Sequence, residues 1–411
     1  MAMNPSPIPR LQTRLPKPTR YPSIPSSSLQ PTQPTSHNFT NLNQNFRFKV
    51  QSADARPLNV PLIAPFTIAS SRIERVENVA IRVELTDGSV GWGEAPVLPF
   101  VTAEDQAIAL EMANEVCMLM GSWEEMRLGD VLREIGAVFQ GHEFASVRAG
   151  MEMAIIDAAA QSSCIPLWRL FGGVSNTITT DITIPIVSAE SAANLALKYR
   201  KQGFETLKLK VGKDLKADIQ VLEAIKLVYP DCKFILDANE GYTAIEALEV
   251  LQILQEVGVA PILFEQPVAK DDFEGLGHVS RVAREKFGVP VAADESCRCI
   301  SDAKRIAEGN LADVINIKLA KSGVVGALEI IELALASGLH LMIGGMVETR
   351  LAMGFAGHLA AGMGCFRYID LDTPLLLSED PVSGGYEVFG AAYKFRNSGG
   401  HGGSLCWDNP T

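Results

Sequence analysis

The sequence predicts an α/β protein, a modified (β/α)8 barrel carrying an N-terminal α+β capping domain. Three observations predict it. Apolar strand-like runs recur, and each ends in a charged residue: Thr206–Val211 carries Lys208 and Lys210, Lys233–Leu236 runs into Asp237, Pro261–Phe264 into Glu265, Val289–Ala293 into Asp294 and Val314–Ile317 into Lys318. The steps between Lys210, Asp237, Glu265, Asp294 and Lys318 are 27, 28, 29 and 24 residues. Each step has room for one strand, one helix and two loops of such a barrel, whose active sites form at the C-terminal ends of the strands. The chain has 411 residues, more than one barrel needs, so a second, smaller domain is expected.

In chain order, residues 1–52 read as a disordered arm. No Asp or Glu precedes Asp54, and Arg10, Arg14, Lys17, Arg20, Arg47 and Lys49 lie among many Pro, Ser, Thr and Asn. A basic, Ser-rich, acid-free arm without a hydrophobic stretch has the composition of an organelle transit peptide. Its prolines disfavour the amphipathic helix of mitochondrial signals, so a plastid is expected, with a cytoplasmic protein as the alternative. Residues 58–175 read as the capping domain. Val79–Leu85 alternates as a strand, turns at Asp87-Gly88 and returns through Val90–Trp92. Helices follow at about Ala103–Gly121, Trp123–Ile135 and Ala145–Ser162, the last with an apolar stripe of Val147, Met151, Ala154, Ile155 and Ala158. The Pro-containing stretches Pro65–Arg72 and Pro96–Thr102 are expected to be loops that close over the barrel mouth. Residues 176–395 read as the barrel, beginning at Thr180–Ile184, with His340–Ile343 as seventh strand and Phe366–Ile369 as eighth, and returning to the cap at its end. Residues 396–411 read as a Gly-rich, disordered tail.

The alternation of side chains along a strand puts Lys208 and Lys210 on one face, opposite Leu207, Leu209 and Val211. Two buried ammonium groups need negative partners. Asp237, Glu265 and Asp294, from three adjacent strand ends, supply them. An all-oxygen set suits Mg²⁺ better than Zn²⁺, which prefers nitrogen or sulfur. Lys210 and Lys318 come from the second and sixth strands, on opposite sides of the barrel. A substrate carboxylate between them would allow one lysine to remove the neighbouring α-proton and the other to return one to the opposite face. The intermediate would be an ene-diolate, and preorganised positive charge there is where catalysis gains most. Lys208 and a metal are both placed to lower the pKa of Lys210, so that it serves as a base near neutral pH.

At these residues the chain resembles the enolase superfamily, and Lys208-Leu209-Lys210 with Lys318 is similar to its muconate-lactonizing subgroup. The stretches 147–153, 166–168 and 316–323 agree. The resemblance implies one Mg²⁺ per subunit on Asp237, Glu265 and Asp294, and Lys210 and Lys318 as the acid/base pair, with Lys208 beside them. Asp370-Leu371-Asp372 and Gly345–Arg350 look like those of dipeptide epimerases, the L-Ala-D/L-Glu epimerases among them. There the two aspartates would hold the ammonium of a small dipeptide substrate; read alone, they are also consistent with a turn or a helix N-cap before Thr373-Pro374. Thr183 matches a substrate-contacting threonine of that family. Glutamate-specific members carry an arginine in the first capping loop; here Ser71 falls at that position and Arg72 one step later, leaving open either an Arg72 contact or a pocket for neutral or apolar side chains. Glu348 is expected at the substrate, and Asn239 and Glu295 behind it, fixing the site.

The composition sets limits. The chain is 47% hydrophobic and 20% charged, as an ordinary globular core requires. No apolar run approaches the roughly 20 residues of a membrane span. A net charge of −12 argues against nucleic acid and anionic membranes as partners. The seven cysteines are scattered and read as reduced thiols; Cys297 and Cys299 lack further metal ligands nearby. A homo-oligomer is expected. The alternatives to an epimerase of L-Ala-Xaa dipeptides are an N-succinylamino acid racemase or o-succinylbenzoate synthase, and a barrel that has lost catalysis.

Overall fold

The computed structural model describes residues 37–67, 72–102 and 104–407. Eight parallel strands make the central sheet: Ile182–Ile184, Thr206–Lys210, Lys233–Asp237, Leu263–Glu265, Val291–Ala293, Val314–Ile317, His340–Ile343 and Tyr368–Ile369, each paired with the next in sequence. The eighth and first strands are joined by single hydrogen bonds instead of a ladder. The N–H of Asp181 donates to the Ile369 carbonyl (3.0 Å), and that of Leu371 to the Thr180 hydroxyl (2.8 Å).

Period-two alternation fills the barrel in layers. Ile235, Leu263, Ala292, Val314, Met342 and Tyr368 form one apolar cluster. Two residues further along their strands stand Asp237, Glu265, Asp294, Asn316 and Asp370, all buried. The apolar layer is thus a floor, and the charged layer rests on it. Helices alternate with the strands and start at local signals. Asp214 accepts from Lys216 and Ala217 at the head of helix Leu215–Val228, and Thr243 with Glu246 forms a capping box before Ala244–Glu256.

The cap is a three-stranded antiparallel sheet, Val50–Thr67, Arg72–Leu85 and Val90–Ala95, with helices Gln106–Ser122, Leu128–Val138 and Ala145–Ser162. Strand Val90–Ala95 lies so close to helix Ala145–Ser162 that a Cβ on Gly93 would collide with the Gly150 carbonyl. Carboxylates of the cap accept hydrogen bonds from backbone of the barrel, of the tail and of the cap itself. Glu152 accepts from the N–H groups of Val324 and Val325 where Gly323 (φ 74°) breaks helix Leu319–Ala336. Glu94 accepts from Thr349 and Ala352 at the start of helix Arg350–Met363. Asp157 takes the N–H of Trp92 (2.9 Å) and of His401 (2.5 Å).

Both ends of the chain correct the sequence reading. Helix His37–Asn45 and the start of strand Val50–Thr67 lie inside the arm expected to be disordered, because Phe39, Leu42, Phe48 and Val50 bury their side chains in the core. Residues 1–36, with most of the transit-peptide expectation, lie outside the described residues. The Gly-rich tail is ordered through Trp407. Strand Gly403–Leu405 pairs with Val382–Gly384, His401 is buried, and the Trp407 indole donates to Asp54 (3.0 Å) under the Arg56 guanidinium. Its glycines serve close backbone packing. Among the described residues no helix is long and apolar enough to cross a membrane, and all seven cysteines are free thiols.

Candidate active site

The C-terminal ends of the strands gather the charged residues into one buried network. Lys208 is 1% exposed. Its Nζ lies 2.6 Å from Asp370, 2.9 Å from Glu265 and 3.0 Å from Asp237. Lys210 Nζ is 2.5 Å from Asp237 Oδ2. Across the barrel, Lys318 Nζ is 2.6 Å from Asp294 Oδ2. Lys210 and Lys318 both line a cavity of about 100 Å³. Asn239 and Glu295 line it too, joined by a 3.1 Å hydrogen bond from the Asn239 amide to Glu295 Oε1. The remaining walls include the cap side chains Phe66, Ile73, Leu98 and Val101 and the barrel side chains Met346 and Val347. Both expected capping stretches contribute to the lining, but Phe66 does so from the end of strand Val50–Thr67 and Val101 from the short helix Pro99–Thr102, where loops were expected.

The electrostatics are set by burial and these pairs. Burial alone would raise Asp237, but Lys208, Lys210 and Lys318 outweigh it and hold the carboxyl down at about 2. Asp294 is likewise held below its ordinary value against burial, by Lys318 and Lys321. Glu265 goes the other way, up to about 7, from burial and the neighbouring Asp237. Lys318 is opposed by burial but lifted by Asp294 to a net position above the ordinary lysine value, and Lys208 is lifted in the same way by Asp237, Asp370 and Glu265. For Lys208 and Lys318 the facing carboxylates set the direction against burial.

The other expected residues are spread around this centre. Thr183 is buried, and its N–H donates to Asp372 Oδ2 (2.6 Å). Asp372 directs its carboxylate there and makes no cap bond to the 3₁₀ turn Thr373–Leu376. Burial and Asp370 raise Asp372 to about 7. Glu348 is buried, accepts from the Met346 N–H (2.8 Å), and is raised to about 8 by burial and Glu94. Arg72 is not drawn in. Its side chain is 62% exposed and pairs with Glu74 at 3.3 Å, next to the undescribed residues 68–71.

Sequence reasoning missed four contributors. Lys321 Nζ donates to Asp294 Oδ1 (2.6 Å) and to the carbonyls of Asp294 and Asn316. Asn316 donates to Glu265 Oε1 (2.8 Å). Gln266, in the left-handed region at φ 35°, accepts from the N–H groups of Asp294 and Ser296; strain at a non-glycine residue is tolerated where the surroundings enforce it. Asp181 lies buried beside Asp370. Lys321 and Asn316 stood within a recognised stretch, 316–323, and their polarity on an otherwise apolar run was the available signal.

Among the described residues no three His, Cys, Asp or Glu side chains form a ready ligand cluster; the three strand-end carboxylates are each turned to a lysine. The donor set nevertheless fits a hard divalent cation. It is all oxygen and on adjacent strands, and the buried Glu265 Oε2 and Asp294 Oδ2 have lysine ammonium groups against them, at 2.9 and 2.6 Å, where a cation would otherwise supply the positive charge.

The fold and this site define an enolase-type barrel enzyme with paired lysines. The mandelate racemase/muconate lactonizing enzyme N-terminal domain family matches residues 52–172, and the enolase C-terminal domain-like family matches residues 190–409. The chain belongs to this branch of the enolase superfamily and is an isomerase of the racemase and epimerase class. An L-Ala-D/L-amino acid epimerase of Populus trichocarpa is 65% identical over all of this chain and 98% of its own. The substrate-liganded L-Ala-D/L-Glu epimerase of Bacillus subtilis superposes with a TM-score of 0.82 at 34% identity, covering 87% of this chain and 100% of that one. A dipeptide epimerase of Enterococcus faecalis V583, complexed with Mg and L-Leu-L-Tyr, gives 0.78 at 32%, covering 87% and 99%.

Proposed function

We propose that the protein is a Mg²⁺-dependent dipeptide epimerase that inverts the α-carbon of the C-terminal residue of L-Ala-Xaa dipeptides, with Xaa apolar or neutral. The observation that carries this reading is the pair Lys210 and Lys318 facing one cavity from opposite sides of the barrel, with Asp370 and Asp372 at the eighth strand. The α-carbon of the substrate lies between the two amines. One lysine takes the α-proton, leaving the ene-diolate, and the ammonium of the other returns a proton to the opposite face. Lys208 holds the network in register and balances charge at the substrate end. Asp370 and Asp372 hold the ammonium at the dipeptide N-terminus, with Thr183 fixing Asp372. The same carboxylates would repel a succinyl group, which disfavours the N-succinylamino acid racemase and o-succinylbenzoate synthase readings.

Asp237, Glu265 and Asp294 would hold the Mg²⁺, one per subunit, supplying positive charge for the substrate carboxylate as it becomes the ene-diolate. Asn239 fixes Glu295 at the cavity wall, and Glu348 supports the loop of Met346. The apolar lining by Phe66, Ile73, Leu98, Val101, Met346 and Val347 supports apolar Xaa, and Arg72, directed to solvent and paired with Glu74, is not among the lining residues that a glutamate side chain would meet. The acid-free, basic and Ser-rich composition of residues 1–36 supports delivery to a plastid.

The test is proton exchange in D₂O with Mg²⁺ and a library of L-Ala-L-Xaa dipeptides, read by mass. Apolar Xaa should gain one deuteron, and EDTA should abolish the gain. Exchange confined to L-Ala-L-Glu would overturn the side-chain assignment, and no exchange on any dipeptide would overturn the epimerase itself.

A further inference from the structure

Asp181 is a buried carboxyl that neither the lysine pair nor the proposed metal ligands account for. It precedes the first barrel strand, and its backbone N–H is fixed to Ile369, one residue before Asp370. It is 4% exposed, and neither oxygen receives a hydrogen bond from a donor among the described residues. The neighbour within hydrogen-bonding reach is another carboxyl, Asp370, with Asp372 and Lys208 close by. Lys208 is already shared among Asp370, Glu265 and Asp237. On its other side Asp181 meets a cavity of about 600 Å³ at the N-terminal mouth of the barrel, lined also by Thr180, Thr206, Lys233 and Arg367.

Two carboxyls within reach of each other form a hydrogen bond only if one carries a proton. An ionised Asp181 would be a third negative charge in a buried group with one shared ammonium, and such groups neutralise instead. With Asp181 neutral, Asp370 and Asp372 are left as the carboxylates that face the substrate ammonium, and Lys208 has no further negative charge to share.

We propose that Asp181 is a positioning residue that stays protonated and donates its O–H to Asp370, holding that carboxylate toward the substrate ammonium. This rests on the reading of Asp370 and Asp372 as the ammonium site. Burial, then the charges of Asp370 and Asp372, raise the Asp181 carboxyl well above the ordinary value, in keeping with a retained proton. Asp181 touches no substrate, so its effect passes through Asp370 to substrate affinity.

The experiment compares wild type, Asp181→Asn, Asp181→Leu and Asp370→Asn. In infrared difference spectra at neutral pH, wild type minus Asp181→Asn should show the carbonyl band of a protonated carboxylic acid; its absence would overturn the proposal. In kinetics with L-Ala-L-Xaa, Asp181→Leu should raise KM about tenfold or more, as expected for a lost hydrogen bond to a charged group, with a much smaller change in kcat. Asp181→Asn, which supplies an N–H donor, should restore KM toward wild type. A wild-type KM in Asp181→Leu, or an equal defect in both variants, would overturn the proposal. Thermal unfolding checks that Asp181→Leu is folded; if it is not, the infrared band decides. If Asp370→Asn leaves KM unchanged, the ammonium reading itself fails, whatever Asp181 shows.

Discussion

Two sets of buried carboxylates occupy this molecule, one at the barrel mouth and one where the cap meets the barrel. At the mouth, Asp237 and Asp294 face lysine ammonium groups and are held ionised against burial. At the interface, Glu152 and Asp157 accept from backbone N–H groups, and burial raises both to about 7, for Glu152 even with the Arg148 guanidinium nearby. Neutral dipoles satisfy a carboxylate's hydrogen bonds without cancelling its charge, whereas an ammonium cancels the charge as well. The interface set therefore acts as fixed docking points. At the mouth, Asp237 and Asp294 keep full charge beside the cavity, as substrate and cation chemistry requires, while Glu265, next to Asp237, is raised as the interface carboxyls are.

Exchanging carboxylates should separate the two sets. Asp294→Asn at the mouth should lower kcat/KM by about 10² or more, the scale on which preorganised charge contributes; retained activity in the folded variant would erase the contrast. Glu152→Ala at the interface should act on stability and spare activity. It leaves the Val324 and Val325 N–H groups without an acceptor, which should cost about 3 kcal/mol in denaturant unfolding, while kcat of the folded protein stays near wild type. Mg²⁺ should stabilise through the mouth alone. At a hundredfold excess over its Kd the gain is about 2.7 kcal/mol, present in Glu152→Ala, absent in Asp294→Asn, and removed by EDTA.

The smallest effect is the pH dependence of stability. A carboxyl raised on folding binds its proton more tightly in the native than in the unfolded state, so stability falls as pH rises between the two values. For Glu152 and Asp157 this window runs from the ordinary carboxylate range up to about 7. The melting temperature should decline across it, and Glu152→Gln should flatten the decline. A rise across the same window would show that the interface carboxylates do not dominate.

The same contrast explains what the sequence disclosed. The mouth was legible because a barrel repeats: charged residues at the ends of successive apolar strands, 24 to 29 residues apart, must converge wherever the strands do. Residues that act through a neighbour were not legible. Gln266 needs a left-handed backbone that no glycine announces, Lys321 reaches back from a helix to Asp294, and Asp181 gains its meaning only where the eighth strand meets the first. The interface escaped for a related reason. Glu94, Glu152 and Asp157 sit on largely apolar elements, and the backbone N–H groups they accept from lie roughly 65 to 260 residues away, which no side-chain pattern encodes. Helix His37–Asn45 and the tail were misread because composition described their polarity and missed the few aromatic and histidine anchors, Phe39, His401 and Trp407, that pack them.

The central claim is that Lys210 and Lys318 address opposite faces of one α-carbon. The direct test is α-proton exchange in D₂O for Lys210→Ala and Lys318→Ala, each given the two separated epimers of one L-Ala-Xaa dipeptide. Both variants should lose epimerisation by about 10² to 10⁴, the scale of a positioned acid or base. Each should still exchange the proton of one epimer, and the two retained epimers should be opposite. Retention of the same epimer by both variants, or epimerisation surviving in either, would contradict the account.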